Sequence, residues 1–151
     1  MTTTPAEGSY TVVVGVDGSP TGQRALRWAL DEAKARKGRV RAIHAWISPS
    51  DWQLEPLYPV DEQALRRAAQ QRLDEALAGV DTGGVAVEAE LVEGEPRQVL
   101  VDAARHADLL VVGSHGHGRV VEALLGSVST FCVHHAPGPV AVVRAAPGPV
   151  S

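Results

Sequence analysis

Short apolar runs rich in β-branched residues alternate along the chain with segments in which apolar residues recur at helical spacing. The first run is Tyr10–Val16, and behind it Ala25, Leu26, Ala29 and Leu30 recur at the spacing of one helix face. A continuous β-branched run is typical of a strand that is buried on both faces of a sheet. Strands that alternate with helices imply a mostly parallel sheet with right-handed crossovers.

The 151 residues accommodate five such strands and four helices in a single domain. The predicted strands are 10–16, 40–46, 85–92, 108–113 and 140–144, and the predicted helices are 20–38, 61–78, 96–106 and 127–135. The predicted fold is therefore α/β, a single open, mostly parallel sheet with helices on both faces. We expect the domain to span 10–144, with 1–9 and 145–151 as tails.

Charge and cysteine content limit the function classes that the chain can serve. The 14 basic and 18 acidic residues give a net charge of −4, which argues against a general nucleic-acid binder because such a protein needs a basic face. No apolar run approaches the ~20 residues of a membrane span, and no signal peptide is evident. Cys132 is the only cysteine, so no disulfide forms within the chain. We expect a cytoplasmic protein without nucleic-acid or membrane partners.

Glycines gather at two places in the sequence. They surround the ends of the first and fourth predicted strands: Gly15, Gly18, Gly22, Gly113, Gly116, Gly118 and Gly126. Open α/β sheets bind ligands outside the carboxyl ends of their strands, at the point where the strand order reverses. Both groups of glycines line one crevice if strands one and four are neighbours at that point, which favours the strand order 3-2-1-4-5.

The segment from Gly113 to Ser129 is the strongest candidate for chemistry. Its glycines let backbone N–H groups approach an anion, and a helix that begins after Gly126 presents N-terminal amides, which favour phosphate. The hydroxyls of Ser127 and Ser129 add hydrogen-bonding groups. The alternative interpretation is a loop followed by an ordinary serine cap. The chain contains neither a P-loop nor the dinucleotide-binding fingerprint.

These residues resemble the nucleotide-binding branch of the universal stress protein family. The family's motif, G-x2-G-x9-G-[S/T], is present here as Gly113, Gly116, Gly126 and Ser127 with every spacing kept. The opening VVVGVDGS around Asp17 and the ending HHAPGPVAVVR are also similar to that family. The resemblance covers nearly the whole chain. It implies a five-stranded Rossmann-like α/β fold, related to adenine nucleotide alpha hydrolases, that is usually dimeric and binds ATP in the crevice.

The resemblance also implies which residues meet the ligand. Asp17 accepts hydrogen bonds from the ribose hydroxyls or the adenine amine, and the backbone of Ala45 lines the adenine pocket. His115 lies near the phosphates, on which a divalent ion, Mg²⁺ or Mn²⁺, is expected. From the adenosine end to the phosphates the implied set is Gly15, Val16, Asp17, Ala45, Val112, Gly113, His115, Gly116, Gly126, Ser127, Val128 and Ser129.

Several other side chains have plainer interpretations. His115 and His117 are two residues apart in a loop and lack nearby thiolates, which is a weak arrangement for zinc. His44 and Cys132 are expected to pack in the core, and Arg119 either reaches a phosphate or is solvated. The sequence therefore assigns no catalytic residue and no metal-binding residue.

The leading hypothesis is an ATP-binding regulatory homodimer of the stress response. No general base is evident at the phosphate end, which favours binding over turnover. A slow ATP hydrolase or phosphotransferase and a nucleotide-free interaction scaffold are the alternatives, and ATP, ADP, AMP and cyclic nucleotides all stay open as ligands. The segment Val140 to Arg144 is the expected edge strand, which either pairs with a second copy or is covered by the tail.

Overall fold

The computed structural model describes residues 9–49, 59–115 and 125–145. The strands are β1 (Thr11–Gly15), β2 (Arg39–Trp46), β3 (Ala86–Glu93), β4 (Leu109–Gly113) and β5 (Val140–Val143). The helices are α1 (Pro20–Ala35), α2 (Glu62–Ala78), α3 (Pro96–Ala104) and α4 (Ser127–His135). Each predicted strand and helix is present, with bounds within a few residues of those expected. Among these helices none is long and apolar enough to cross a membrane.

The strands are parallel and form one sheet in the order β3-β2-β1-β4-β5. This confirms the predicted order, in which the direction of strand addition reverses between β1 and β4. The register places Val14 beside Ala42 of β2 on one side and beside Val111 of β4 on the other. The carboxyl ends of β1 and β4 are therefore adjacent, where an open α/β sheet binds its ligand.

The two faces of the sheet carry separate hydrophobic clusters. Val12 and Val14 pack in the cluster with α1 and α2, whereas Val13 and Leu110 pack in the cluster with α3 and α4. Successive side chains of a strand point to opposite faces, so a strand covered on both sides needs apolar residues at every position. The continuous apolar runs of β1 and β4 satisfy this requirement.

The helix α1 ends at Ala35, before Gly38, where the predicted helix ends. The left-handed residue of the turn that follows is Lys37, with a φ of 55°, and the N–H of Gly38 donates to the carbonyl of Ala33 at 2.7 Å. Gly38 is required for another reason, because a Cβ atom there would lie 2.1 Å from the carbonyl oxygen of Tyr10. The glycine thus lets the chain pass against β1 as β2 begins.

The two edge strands of the sheet differ in charge. On β3 the carboxylate of Glu90 accepts two hydrogen bonds from Arg41, at 2.7 and 3.0 Å, and this hydrogen bonding raises the pKa of Arg41. Charged side chains on an edge discourage further strand pairing. The half-buried strand β5 has only alanine and valine between Val140 and Val143. It is the edge that is better suited to a partner strand.

Candidate functional site

The turn from β1 to α1 is organised around the carboxylate of Asp17. Its Oδ1 atom accepts hydrogen bonds from the N–H of Ser19 at 2.9 Å and from the hydroxyl of Ser19 at 2.5 Å. Ser19 in turn caps α1, because its Oγ accepts the N–H of Gly22 at 3.0 Å. A Cβ atom at Gly22 would lie 2.5 Å from Asp17 Oδ1. The acid predicted to meet the ligand therefore also holds the first turn of α1.

Other glycines of the predicted crevice accommodate neighbouring parts of the chain. A Cβ atom at Gly15 would lie 2.8 Å from Cδ1 of Leu100 on α3. At Gly113 it would lie 3.0 Å from Cγ2 of Thr21, in the first turn of α1. Sequence reasoning assigned these glycines to the approach of a ligand and missed the packing role. The contact of Thr21 with Gly113 brings the start of α1 against the end of β4.

The end of β4 is fastened to the start of α4. The N–H of Gly126 donates to the carbonyl of Ser114 at 2.5 Å. The buried hydroxyl of Ser129 lies 3.2 Å from the same carbonyl oxygen and 3.0 Å from the carbonyl oxygen of Gly126. A Cβ atom at Gly126 would lie 3.0 Å from Ser114 O, so this approach favours glycine. Hydrogen bonds from Gly126 and Ser129 to Ser114 thus connect the chain before 116–124 to the chain after it.

Within the part of the chain that the structure describes, no side chain caps the first turn of α4. Its N-cap residue is Gly126, whereas α1 and α2 are capped by the side chains of Ser19 and Asp61. The first N–H groups of a helix have no partner within the helix, and the helix dipole places partial positive charge there. Ser127, the first residue of α4, is exposed. Amides and a hydroxyl are therefore available to an anion at this end of the sheet.

The remaining described site residues lie at the ends of β1, β2 and β4. The N–H of Val16 donates to Ile43 O at 2.8 Å, and its carbonyl accepts the Nδ1–H of His44 at 2.7 Å. Ala45 is half-buried on the face that Ile43 shares with α3 and α4. Val112 is buried in that same cluster, so it offers a ligand its main chain only.

His115 follows Ser114 at the end of β4. Its Nδ1 atom lies 3.0 Å from the hydroxyl oxygen of Ser114, and its side chain is half-buried. Outside the described residues lie Gly116, His117, Gly118 and Arg119. Within 9–49, 59–115 and 125–145, no three His, Cys, Asp or Glu side chains come together as a metal site.

The buried histidine and cysteine have the core positions expected of them. His44 is 7% exposed and hydrogen bonded to the main chain of β1. Cys132 is fully buried on α4, and this burial raises the pKa of its thiol to about 11. At neutral pH the side chain is therefore a thiol rather than a reactive thiolate.

Comparison with known proteins identifies close relatives over most of the chain. The model of the universal stress protein family matches residues 10–144. A universal stress protein of Mycobacterium tuberculosis is 41% identical over 135 residues, which cover 88% of this chain and 45% of that protein. The chain thus spans about half the length of the curated relatives it matches.

Two solved structures of similar proteins contain an adenine nucleotide. A universal stress protein in complex with cAMP is 32% identical, with a TM-score of 0.58, and the match covers 89% of this chain and 95% of that one. A universal stress protein family protein from Arabidopsis thaliana with AMP bound is 25% identical, with a TM-score of 0.64 and coverage of 91% and 92%. The nucleotides belong to those proteins, which share this fold.

Proposed function

The chain belongs to the universal stress protein family, and from this premise we propose that it binds an adenine nucleotide across the ends of β1 and β4. The observation that carries the proposal is the uncapped first turn of α4 beside the junction of these strands. Similar proteins bind cAMP and AMP, which share an adenosine and one phosphate. A site for both groups must combine a pocket for the base with an anion site.

The phosphate end of the proposed site lies at the start of α4. Ser127 and Val128 contribute first-turn N–H groups, and Ser127 adds an exposed hydroxyl. Gly113 and His115 approach from the end of β4 in this proposal, and the family motif adds Gly116, which lies outside the described residues. The amides supply positive potential without a cationic side chain, which fits a chain whose net charge is −4.

The adenosine end of the proposed site lies at the ends of β1 and β2. In this proposal Asp17 accepts hydrogen bonds from the ribose or the base, because an ionised carboxylate is an acceptor with two oxygens. The main chains of Gly15 and Ala45 line the base. The main chain of Val112 meets the ribose side.

We propose ATP as the ligand, with Mg²⁺ or Mn²⁺ on its phosphates, because the chain keeps every spacing of the glycine and serine motif of the family's nucleotide-binding branch. A nucleotide in this position contacts β1, β4 and α4 together and stabilises their arrangement. A ligand at one hundred times its Kd adds about 2.7 kcal/mol to the free energy of unfolding. In this proposal, nucleotide occupancy controls the stability of the region formed by β1, β4 and α4. Through that region it controls the regulatory contacts of the protein.

The variant Ser127→Asp tests the phosphate end of the site. Isothermal titration calorimetry measures the affinities of the original chain and of this variant for ATP, AMP and adenosine. A carboxylate at the first position of α4 interacts favourably with the helix dipole and so stabilises the helix, but it repels a phosphate bound at the same amides. We expect the affinity for ATP and AMP to fall at least about tenfold, a change of ~1.4 kcal/mol, while that for adenosine changes little. The temperature of unfolding should stay the same or rise.

The control is Gln63→Glu, which adds the same charge at an exposed position of α2, against the other face of the sheet. It should leave ATP affinity within about twofold of the original, since this charge is not at the first turn of α4 and salt screens charges exposed to solvent. No heat of binding with ATP or AMP at millimolar concentration, with or without Mg²⁺, would show that nucleotide binding is not the function.

We also propose a homodimer in which β5 pairs with the β5 of a second copy. The carbonyls of Pro139 and Val143 accept N–H groups from β4 and from the residue that follows it. The alternating main-chain groups of Val140 and Val142 therefore face away from the sheet. In the described part of the chain no strand pairs with this outer side. Pairing of two such edges around a twofold axis satisfies the outward groups.

The variant Val142→Pro tests this homodimer. Proline removes the outward N–H of Val142 but leaves the bonds from β4 to β5 intact. We expect light scattering after size exclusion to give a dimer for the original chain and a monomer for Val142→Pro, with unchanged far-UV circular dichroism. A folded Val142→Pro protein that remains dimeric would place the interface elsewhere.

A further inference from the structure

We infer that Ser129 is a positioning residue, which fastens the end of β4 to the first turn of α4 and so sets the geometry of the phosphate end. This inference rests on the proposed nucleotide binding. The motif resemblance instead places Ser129 among the residues that hold the phosphates. The two roles differ in where the single hydroxyl proton goes.

The hydrogen bonds of Ser129 are directed inward. The residue is 1% exposed, and its Oγ lies 3.0 Å from Gly126 O and 3.2 Å from Ser114 O. A serine hydroxyl donates one proton, and both of these neighbours are carbonyl acceptors. The proton is therefore used within the protein, and no second proton exists for a phosphate oxygen.

The carbonyl of Ser114 is the point at which the two elements meet. It accepts the N–H of Gly126 at 2.5 Å and lies within hydrogen-bond distance of Ser129 Oγ. One partner is the N-cap of α4 and the other is on its first turn. These two contacts fix how the first-turn amides of α4 stand relative to Gly113 and His115.

Exposure separates Ser129 from its neighbours on α4. Ser127 and Thr130 are exposed, whereas Ser129 is buried between them. A direct phosphate contact therefore suits Ser127, and a structural hydrogen bond suits Ser129. Loss of the Ser129 hydroxyl leaves the helix and its dipole in place but removes one of the two contacts that hold the carbonyl of Ser114. Binding of the nucleotide's phosphate then has to restore the arrangement of β4 and the first turn of α4. Part of the binding free energy is used for this, so the affinity falls.

The experiment compares Ser129→Ala, Ser129→Thr and the exposed control Thr130→Ala. Amide hydrogen exchange is measured on the nucleotide-free proteins, and titration with AMP and adenosine follows. We expect exchange at the N–H of Gly126 to become about tenfold faster in Ser129→Ala, with exchange in β1 unchanged. AMP affinity should fall about tenfold, and adenosine affinity should stay within about twofold.

Ser129→Thr keeps the hydroxyl and should restore both quantities, while Thr130→Ala should alter neither. Weaker AMP binding in Ser129→Ala without faster exchange at Gly126 would overturn the inference, because a direct phosphate ligand has that signature. Unchanged AMP binding would overturn it as well. If the original chain binds neither AMP nor ATP, the proposed function fails, and this result is distinct because it appears before any substitution.

Discussion

Replacement of Gly38 by alanine is expected to lower the free energy of unfolding by about 3 kcal/mol. The new Cβ atom would lie 2.1 Å from the carbonyl oxygen of Tyr10 and 2.9 Å from its carbonyl carbon. These are backbone atoms at the start of β1, so rotation of a side chain does not relieve the contact. The same oxygen accepts the N–H of Arg39 at 2.8 Å, and a shift of the chain breaks that bond too.

Gly138→Ala is the matched control for this effect. Gly138 precedes β5 and has open space around the position of a Cβ atom. Its substitution should change the free energy of unfolding by no more than about 0.5 kcal/mol, as is usual at exposed sites. Urea unfolding followed by circular dichroism measures both variants. Similar losses for the two would mean that the close approach to β1 is not what makes Gly38 necessary.

The arrangement of the sheet was predictable because each strand carries its own signal. The β-branched runs of β1 and β4 report burial on both faces, and the Ser19–Pro20 pair marks the start of α1. The strand order was predicted from the expected ligand site, because the two groups of glycines line one crevice only if the first and fourth strands are neighbours. That order is correct, although Gly15, Gly22, Gly113 and Gly126 have packing partners of their own.

The details that escaped prediction depend on contacts between residues far apart in sequence. Nothing near Gly113 in the sequence indicates its contact with Thr21, and nothing near Gly15 indicates its contact with Leu100. At both positions a Cβ atom would require the neighbouring side chain to shift. The inward hydrogen bonds of Ser129 likewise depend on Ser114. A motif shows which residue types recur at a given spacing. It does not show whether a hydroxyl in the motif makes its hydrogen bond to a ligand or to the protein itself. Only the fold distinguishes the two.

Gly22→Ala is expected to displace Asp17 and so to weaken both the cap of α1 and the proposed nucleotide site. The new Cβ atom would lie 2.5 Å from Asp17 Oδ1, the atom that accepts both hydrogen bonds from Ser19. Because the carboxylate must turn away, those bonds are lost. We expect the free energy of unfolding to fall by about 1–2 kcal/mol, the usual contribution of a helix cap. ATP affinity should fall about tenfold with it.

A double-mutant cycle with Asp17→Ala separates this contact from the helix propensity of alanine. Once the carboxylate is absent, alanine at position 22 should raise the free energy of unfolding by about 0.5–1 kcal/mol, because glycine is the poorer helix former. The effect of one substitution then changes sign with the presence of Asp17, and the coupling free energy from urea unfolding measures the contact. A Gly22→Ala effect of the same sign and size in both backgrounds would mean that Asp17 does not occupy this space.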